Sequence, residues 1–252
     1  MKDRKLVAAL ACRAGGTRLF GKPLQQLDST HTILSHLVGA IKQSEIINTL
    51  VLGISEGIEN EIFIEFANQF NCDYIIGDEK DVLSRLISCG EQAEATDIFR
   101  ITSESPFTAW EFLPKAWENH LKNNNDITIT EFLPEGMNFE IFTIESLKTA
   151  HQNGKDSDRS EFCSAYHRRN YRDFIIQLIE PPTKYKRLDL RFTVDNPEDL
   201  VLCRKIYSDL MDGDFHMPIE DIINWADRND EWRRLVDPFV DGKAIWAHVI
   251  DE

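Results

Sequence analysis

Three cations crowd around a pair of glycines near the start of the chain. The run Cys12-Arg13-Ala14-Gly15-Gly16-Thr17-Arg18-Leu19-Phe20-Gly21-Lys22-Pro23-Leu24 directly follows an apolar stretch from Leu6. Adjacent glycines let the backbone turn sharply and aim its N–H groups at an anion, and Arg13, Arg18 and Lys22 add positive charge close by. Three cations beside a glycine turn at a strand end suit a nucleoside triphosphate. The loop matches neither GxxxxGK[ST] nor GxGxxG, so it is not assigned to either phosphate-binding motif. Taken alone, it is equally compatible with an ordinary glycine turn carrying solvated basic side chains.

A triphosphate also calls for a divalent cation, and a divalent cation calls for carboxylates at strand ends. Two segments offer them. Glu104 lies in Arg100-Ile101-Thr102-Ser103-Glu104-Ser105-Pro106-Phe107, and Asp195 lies in Phe192-Thr193-Val194-Asp195-Asn196-Pro197-Glu198-Asp199-Leu200. Each has a structural alternative: Glu104 as an acid before a helix, and Asp195 as a helix cap. Asp199 suits the first turn of a helix better than a metal. The histidines form no HxH or HExxH spacing and there is no G-x-S-x-G element, so no covalent nucleophile is expected.

The rest of the composition restricts the partners. Against 28 basic residues stand 43 acidic ones, a net charge of −15, which opposes general attraction to nucleic acid or anionic lipid. Any polyphosphate must therefore be held by a local basic site. The five cysteines have no zinc-ligand spacing and are expected to be buried thiols of a reducing compartment. The apolar run after Lys5 is too short for a secretory or membrane segment, and a cytoplasmic location is expected.

The elements that must position these groups alternate. Strands are predicted at Lys5–Cys12, Thr49–Ile54, Cys72–Ile76 and Asp97–Thr102, with helices near Thr32–Lys42, Ile58–Asn71 and Asp81–Ala93, the pattern of a parallel sheet wrapped by helices. Beyond them a helix is expected near Ala109–Lys122, strands at Asp126–Phe132 and Asn138–Thr143, a helix near Ser160–Asn170, and strands at Phe174–Ile179 and Leu190–Val194. Asp195 or Asn196 would cap a further helix that carries Pro197 at its first position. The chain divides on this reading into residues 1–213 and a helical extension, 214–252, which either packs on the domain or meets a second subunit.

With these motifs in place the sequence resembles the cytidylyltransferases that activate sugars: the CMP-sialic acid and CMP-KDO synthetases and the spore-coat polysaccharide cytidylyltransferases. Arg13, Gly15, Arg18, Leu19 and Lys22 match the family's A-R-x-G-S-x-R-L-x-x-K loop, with Gly16 in place of its serine. Residues 192–200 match T-V-D-x-P-E-D-L almost throughout, and residues 100–106 match R-x-T-G-D-x-P with Ser103-Glu104 in place of Gly-Asp. Gly77 to Arg85 is similar to G-x-x-x-D-V-L-x-R, although Asp81 and Arg85 also have the i, i+4 spacing of a helix ion pair.

The resemblance implies an α/β, Rossmann-like nucleotide-diphospho-sugar transferase fold with a mostly parallel mixed sheet. It also implies transfer of CMP from CTP to a sugar-type acceptor, with release of pyrophosphate and help from Mg²⁺. On that basis Ala11, Cys12, Arg13, Gly15, Gly16, Arg18, Lys22, Arg85 and Thr102 are expected at the nucleotide. Lys22, Arg18 and Asp195 are expected to serve the chemistry, Glu104 and Asp195 to hold the metal, and Glu140, Arg159, Phe162 and Tyr166 to meet the acceptor. Phe162 replaces a family histidine. A polyol phosphate or phosphonate acceptor, a glycosyltransferase of the same fold and a non-catalytic nucleotide binder are the alternatives, and the relatives' habit implies a homodimer.

Overall fold

A computed structural model of the chain describes residues 4–160 and 162–250, the side chains of 248 and 250 excepted. Seven strands form one sheet: β1 (Leu6–Cys12), β2 (Thr49–Ser55), β3 (Asp73–Gly77), β4 (Asp97–Arg100), β5 (Ile127–Thr130), β6 (Glu140–Thr143) and β7 (Ile176–Ile179). Their order is β3-β2-β1-β4-β6-β5-β7. Only β6 runs antiparallel to its neighbours, so the other strands end on the same side of the sheet.

The central strand shows why the sheet is covered on both faces. Its residues alternate, as a pleated strand requires. Leu6, Ala8, Leu10 and Cys12 enter the larger core cluster, while Val7 and Ala9 enter the smaller one. The larger cluster is closed by α1 (Ile33–Gln43), α2 (Glu61–Gln69), α4 (Leu113–Asn123), α7 (Pro197–Leu210) and α8 (Ile219–Arg228). The smaller is closed by α3 (Val82–Gln92) and α5 (Ile144–Asn153), with Trp246 from the C-terminal segment. Glu131 accepts the backbone N–H of Trp246 at 2.9 Å and so anchors that segment. A near-continuous apolar strand such as β1 is stable only when both faces are dry.

The helices begin where polar caps stand. Thr32 and Ser35 form a capping box on α1, Asp81 accepts the Ser84 N–H at the start of α3, and Thr143 accepts the Ser146 N–H at the start of α5. Thr143 is also the last residue of β6, so strand and helix join without a turn. The sequence reading missed α5 for that reason. A short α6 (Ala165–Arg169) replaces the longer helix expected over 160–170.

One expected strand is absent. Residues 190–194 make only an isolated bridge between Glu135 and Arg191. They bond to two different loops at the carboxyl ends of the sheet: Phe192 N–H to Glu135 O at 2.7 Å, and Val194 N–H to Glu104 O at 3.1 Å. A segment shared between two loops cannot build a ladder with either. The sharing brings Glu104 and Asp195 to one place.

Candidate active site

A cleft of about 660 Å³ opens at the carboxyl ends of the central strands. Ligands of open α/β sheets bind in this position. Its wall carries Arg13, Arg18, Lys22, Lys80, Arg85 and Arg100 against Glu79, Glu104 and Asp195, a local excess of positive charge on a chain of net charge −15. Gly15, Gly16, Ala11 and Thr102 also line it.

The basic loop is tied at its base. Gly21 N–H donates to Ala14 O at 2.8 Å, and Ala14 N–H donates to the side-chain oxygen of buried Asn60 at 2.7 Å. Asn60 has its amide fixed in turn by Glu56 O at 2.9 Å. Sequence reasoning missed Asn60 because nothing in its local spacing signals a loop 46 residues away. Gly21, with φ 58°, then delivers Lys22 to a short 3₁₀ turn.

Lys22 Nζ reaches Asp195 Oδ1 at 2.5 Å, and Arg18 approaches the same oxygen at 3.5 Å. The other oxygen, Oδ2, accepts from Arg191 at 2.7 Å. Burial works against the Asp195 charge, but the hydrogen bonds and charges of Lys22 and Arg191 outweigh it and hold the carboxyl below its usual range. The helix behind Asp195 is capped by its neighbours: Asn196 is the N-cap, and Asp199 accepts the N–H of Asn196 at 2.8 Å and of Asp195 at 3.0 Å. Asp195 is therefore not the cap, and its carboxylate faces the loop cations.

Glu104 lines the cleft beside it, with its backbone oxygen bonded to Val194. Ser103, which stands for the family glycine, donates to Ala11 O at 2.8 Å and locks this turn to the end of β1. Thr102 shares a 2.6 Å hydrogen bond with Ser105, which donates to Thr193 at 2.9 Å.

Several expected residues stand elsewhere or act differently. The Cys12 side chain is buried in the larger core, where burial drives its thiol pKa up, and it does not line the cleft. Arg85 does line the cleft, yet it makes no ion pair with Asp81. Its guanidinium donates to Asp78 O at 2.8 Å and Glu79 O at 3.2 Å, and thereby supports the cleft wall. Asp81 caps α3 and pairs with His151 at 2.8 Å.

None of the four acceptor candidates lines the cleft. Glu140 pairs with Arg100 at 2.8 Å. Arg159 donates to His151 O at 3.1 Å, Phe162 is 62% exposed, and Tyr166 packs edge-on against His167 and Phe174. Among the described residues of 159–166 only Ser160 lines the cleft, and Glu161 lies outside the described residues. Arg191, which sequence reasoning did not single out, holds Asp195, Asp199 and Glu135 together.

A cationic cleft at the carboxyl ends of a Rossmann-like sheet, entered by a glycine loop directly after β1, defines a nucleotide-handling α/β domain. The chain belongs to the cytidylyltransferase family, whose model matches residues 7–220, and it is a nucleotidyltransferase. It is similar to an uncharacterized protein of Methanocaldococcus jannaschii, 29% identical over 92% of this chain and 94% of that one. It is also similar to the spore coat polysaccharide biosynthesis protein SpsF of Bacillus subtilis, 25% identical over 79% of this chain and 84% of that one. Among solved structures, a cytidylyltransferase from Leptospira borgpetersenii shares the fold with a TM-score of 0.82 at 22% identity, covering 91% of this chain and 97% of that one. Among the described residues no helix is long and apolar enough to cross a membrane.

Proposed function

We propose that the chain transfers CMP from CTP to an acceptor oxygen of a sugar-type molecule and releases pyrophosphate. The observation that carries the proposal is the meeting of Lys22 and Asp195, 173 positions apart, inside one cationic cleft. Arg13, Arg18 and Lys22 would bind the phosphates, and the loop N–H groups would orient them. The acceptor oxygen would attack the α-phosphorus as the bond to the bridging oxygen breaks and pyrophosphate leaves. Positioning and electrostatic stabilisation supply the acceleration, since the site needs no covalent intermediate.

The donor set fits a hard divalent cation. Mg²⁺ is commonly held by one or two carboxylates together with substrate phosphates and water. Glu104 and Asp195 supply that pair, and among the described residues no group of three or more His, Cys, Asp or Glu forms a separate site. When bound, Mg²⁺ would neutralise phosphate charge and make the α-phosphorus more electrophilic. The chain's own part is to hold Asp195 from behind through Arg191 while Lys22 and Arg18 face the triphosphate.

The acceptor is the open half of the proposal. The SpsF likeness supports a sugar destined for polysaccharide, and a panel of acidic sugars, polyol phosphates and phosphonates, each assayed with CTP in Mg²⁺ and in EDTA, tests it. The expected result is Mg²⁺-dependent pyrophosphate release with a sugar-type acceptor. Release only with polyol phosphates or phosphonates replaces the acceptor class, and release with none contradicts the function.

A further inference from the structure

Arg191 lies behind the cleft and does not line it. The residue is 5% exposed, and each of its donor groups has a carboxylate partner. Nε donates to Asp199 at 2.9 Å, Nη2 to Asp195 Oδ2 at 2.7 Å and to Asp199 at 3.2 Å, and Nη1 to Glu135. Asp199 is 1% exposed and at the same time accepts the Asp195 N–H. The Arg191–Asp199 couple thus fixes both the side chain and the backbone of Asp195.

From this geometry we infer that Arg191 is a positioning residue for cation binding. By occupying Oδ2 it turns Oδ1 toward the cleft, and it keeps Asp195 in place when Lys22 shifts from Asp195 to the phosphates of an incoming nucleotide. The inference rests on the cytidylyl-transfer reading of the cleft. Among the described residues, the carboxylate without Arg191 would have only Lys22 and Arg18, both lining the cleft, to orient it. The bidentate fork is essential to this role. A lysine ammonium is a compact point charge whose three N–H donors leave one nitrogen, so it cannot span Asp199 and Asp195 in the planar fork geometry that the guanidinium provides. Partners behind a metal ligand typically affect metal affinity or activity by about 10–100-fold.

The test is calorimetric titration of CTP into the full chain, once with Mg²⁺ and once with EDTA, for wild type and Arg191→Lys. The wild type is expected to bind CTP more tightly with Mg²⁺. Arg191→Lys is expected to keep metal-free CTP affinity, because the basic loop is untouched, while the gain from Mg²⁺ drops about tenfold or more. In Mg²⁺ its KM for CTP should rise by a similar factor and kcat should fall as well, while CTP binding in EDTA stays at the wild-type level. An unchanged Mg²⁺ gain overturns the inference, and so does an equal loss of metal-free CTP affinity, which marks a scaffold residue. If Arg191→Lys does not melt cooperatively, Glu135→Gln decides, since it loosens one anchor of Arg191 at a half-exposed position. A smaller Mg²⁺ gain with intact metal-free binding then supports the role, and an unchanged gain overturns it. Wild-type protein that gains nothing from Mg²⁺ contradicts the cytidylyl-transfer reading itself and the inference with it.

Discussion

A Cβ placed on Gly16 would stand 2.4 Å from the carbonyl oxygen of Leu19, inside van der Waals contact. The loop therefore closes over the position where the family carries serine and leaves no room there for a side chain. Gly16→Ser is accordingly expected to harm nucleotide binding, although it restores the family residue. A rise of about tenfold in the KM for CTP, equivalent to about 1.4 kcal/mol of loop rearrangement, is predicted from initial-rate kinetics. A lower KM would show that the loop accommodates serine. The loop cations were legible in the sequence because residue type and a strand-end glycine turn announce them, and Asp195 through the motif it shares with the family, although the strand expected before it is absent. Asn60 and Arg191 were not, because their partners are remote in the chain and neither sits in a motif. Arg85 left two readings open, a nucleotide contact and an i, i+4 pair with Asp81; it lines the cleft, and burial sends its guanidinium to the Asp78 and Glu79 carbonyls rather than to Asp81.

At the scale of elements, the site depends on three segments that meet without forming a strand. Residues 134–136, 190–194 and 104–105 cross-bond at the ends of β4 and β5. Gly136 makes the approach possible: its φ is +92°, and a Cβ there would lie 2.5 Å from Thr193 N. Gly136→Ala combines backbone strain with a clash against main chain, and a stability loss of roughly 1–3 kcal/mol is expected in urea unfolding. Pyrophosphate release should fall further than stability alone explains, because the displaced segment carries Asp195. Stability equal to wild type contradicts this account of the meeting point. The four parallel strands β1–β4 and the helices α1–α4 were legible from their period, and α7 from its cap and Pro197. Strand 190–194 was misread because its alternating residues satisfy two loops rather than a ladder, and α5 was hidden by a β6 that ends on the helix cap.

For the whole molecule, two dry layers sandwich the sheet and each contains a neutral histidine. His36 is 1% exposed and His167 is fully buried, and burial outweighs their hydrogen bonds to backbone and lowers both pKa values to about 4. In the unfolded chain each would titrate near 6.5. Their stabilising contribution is thus complete above about pH 6.5 and is lost as the pH falls toward 4, because the unfolded state takes up protons first. By pH 5 the loss is roughly 2 kcal/mol for each histidine, to be read from urea unfolding at pH 7 and pH 5. An unfolding free energy that is flat across that interval contradicts the assignment of both histidines as buried and neutral. The net charge of −15 was the part of this scale plainest in the sequence, since it required the local cationic cleft that the fold then provides.

The central claim is that loop cations and Asp195 act together on a metal-bound triphosphate. The most direct measurement is Mg²⁺-dependent pyrophosphate release from CTP by Asp195→Asn, with the acceptor found in the panel and the fold checked by circular dichroism. The account predicts a folded protein whose rate falls at least about a hundredfold, beyond the range typical of residues behind a ligand. Turnover at the wild-type rate would contradict it.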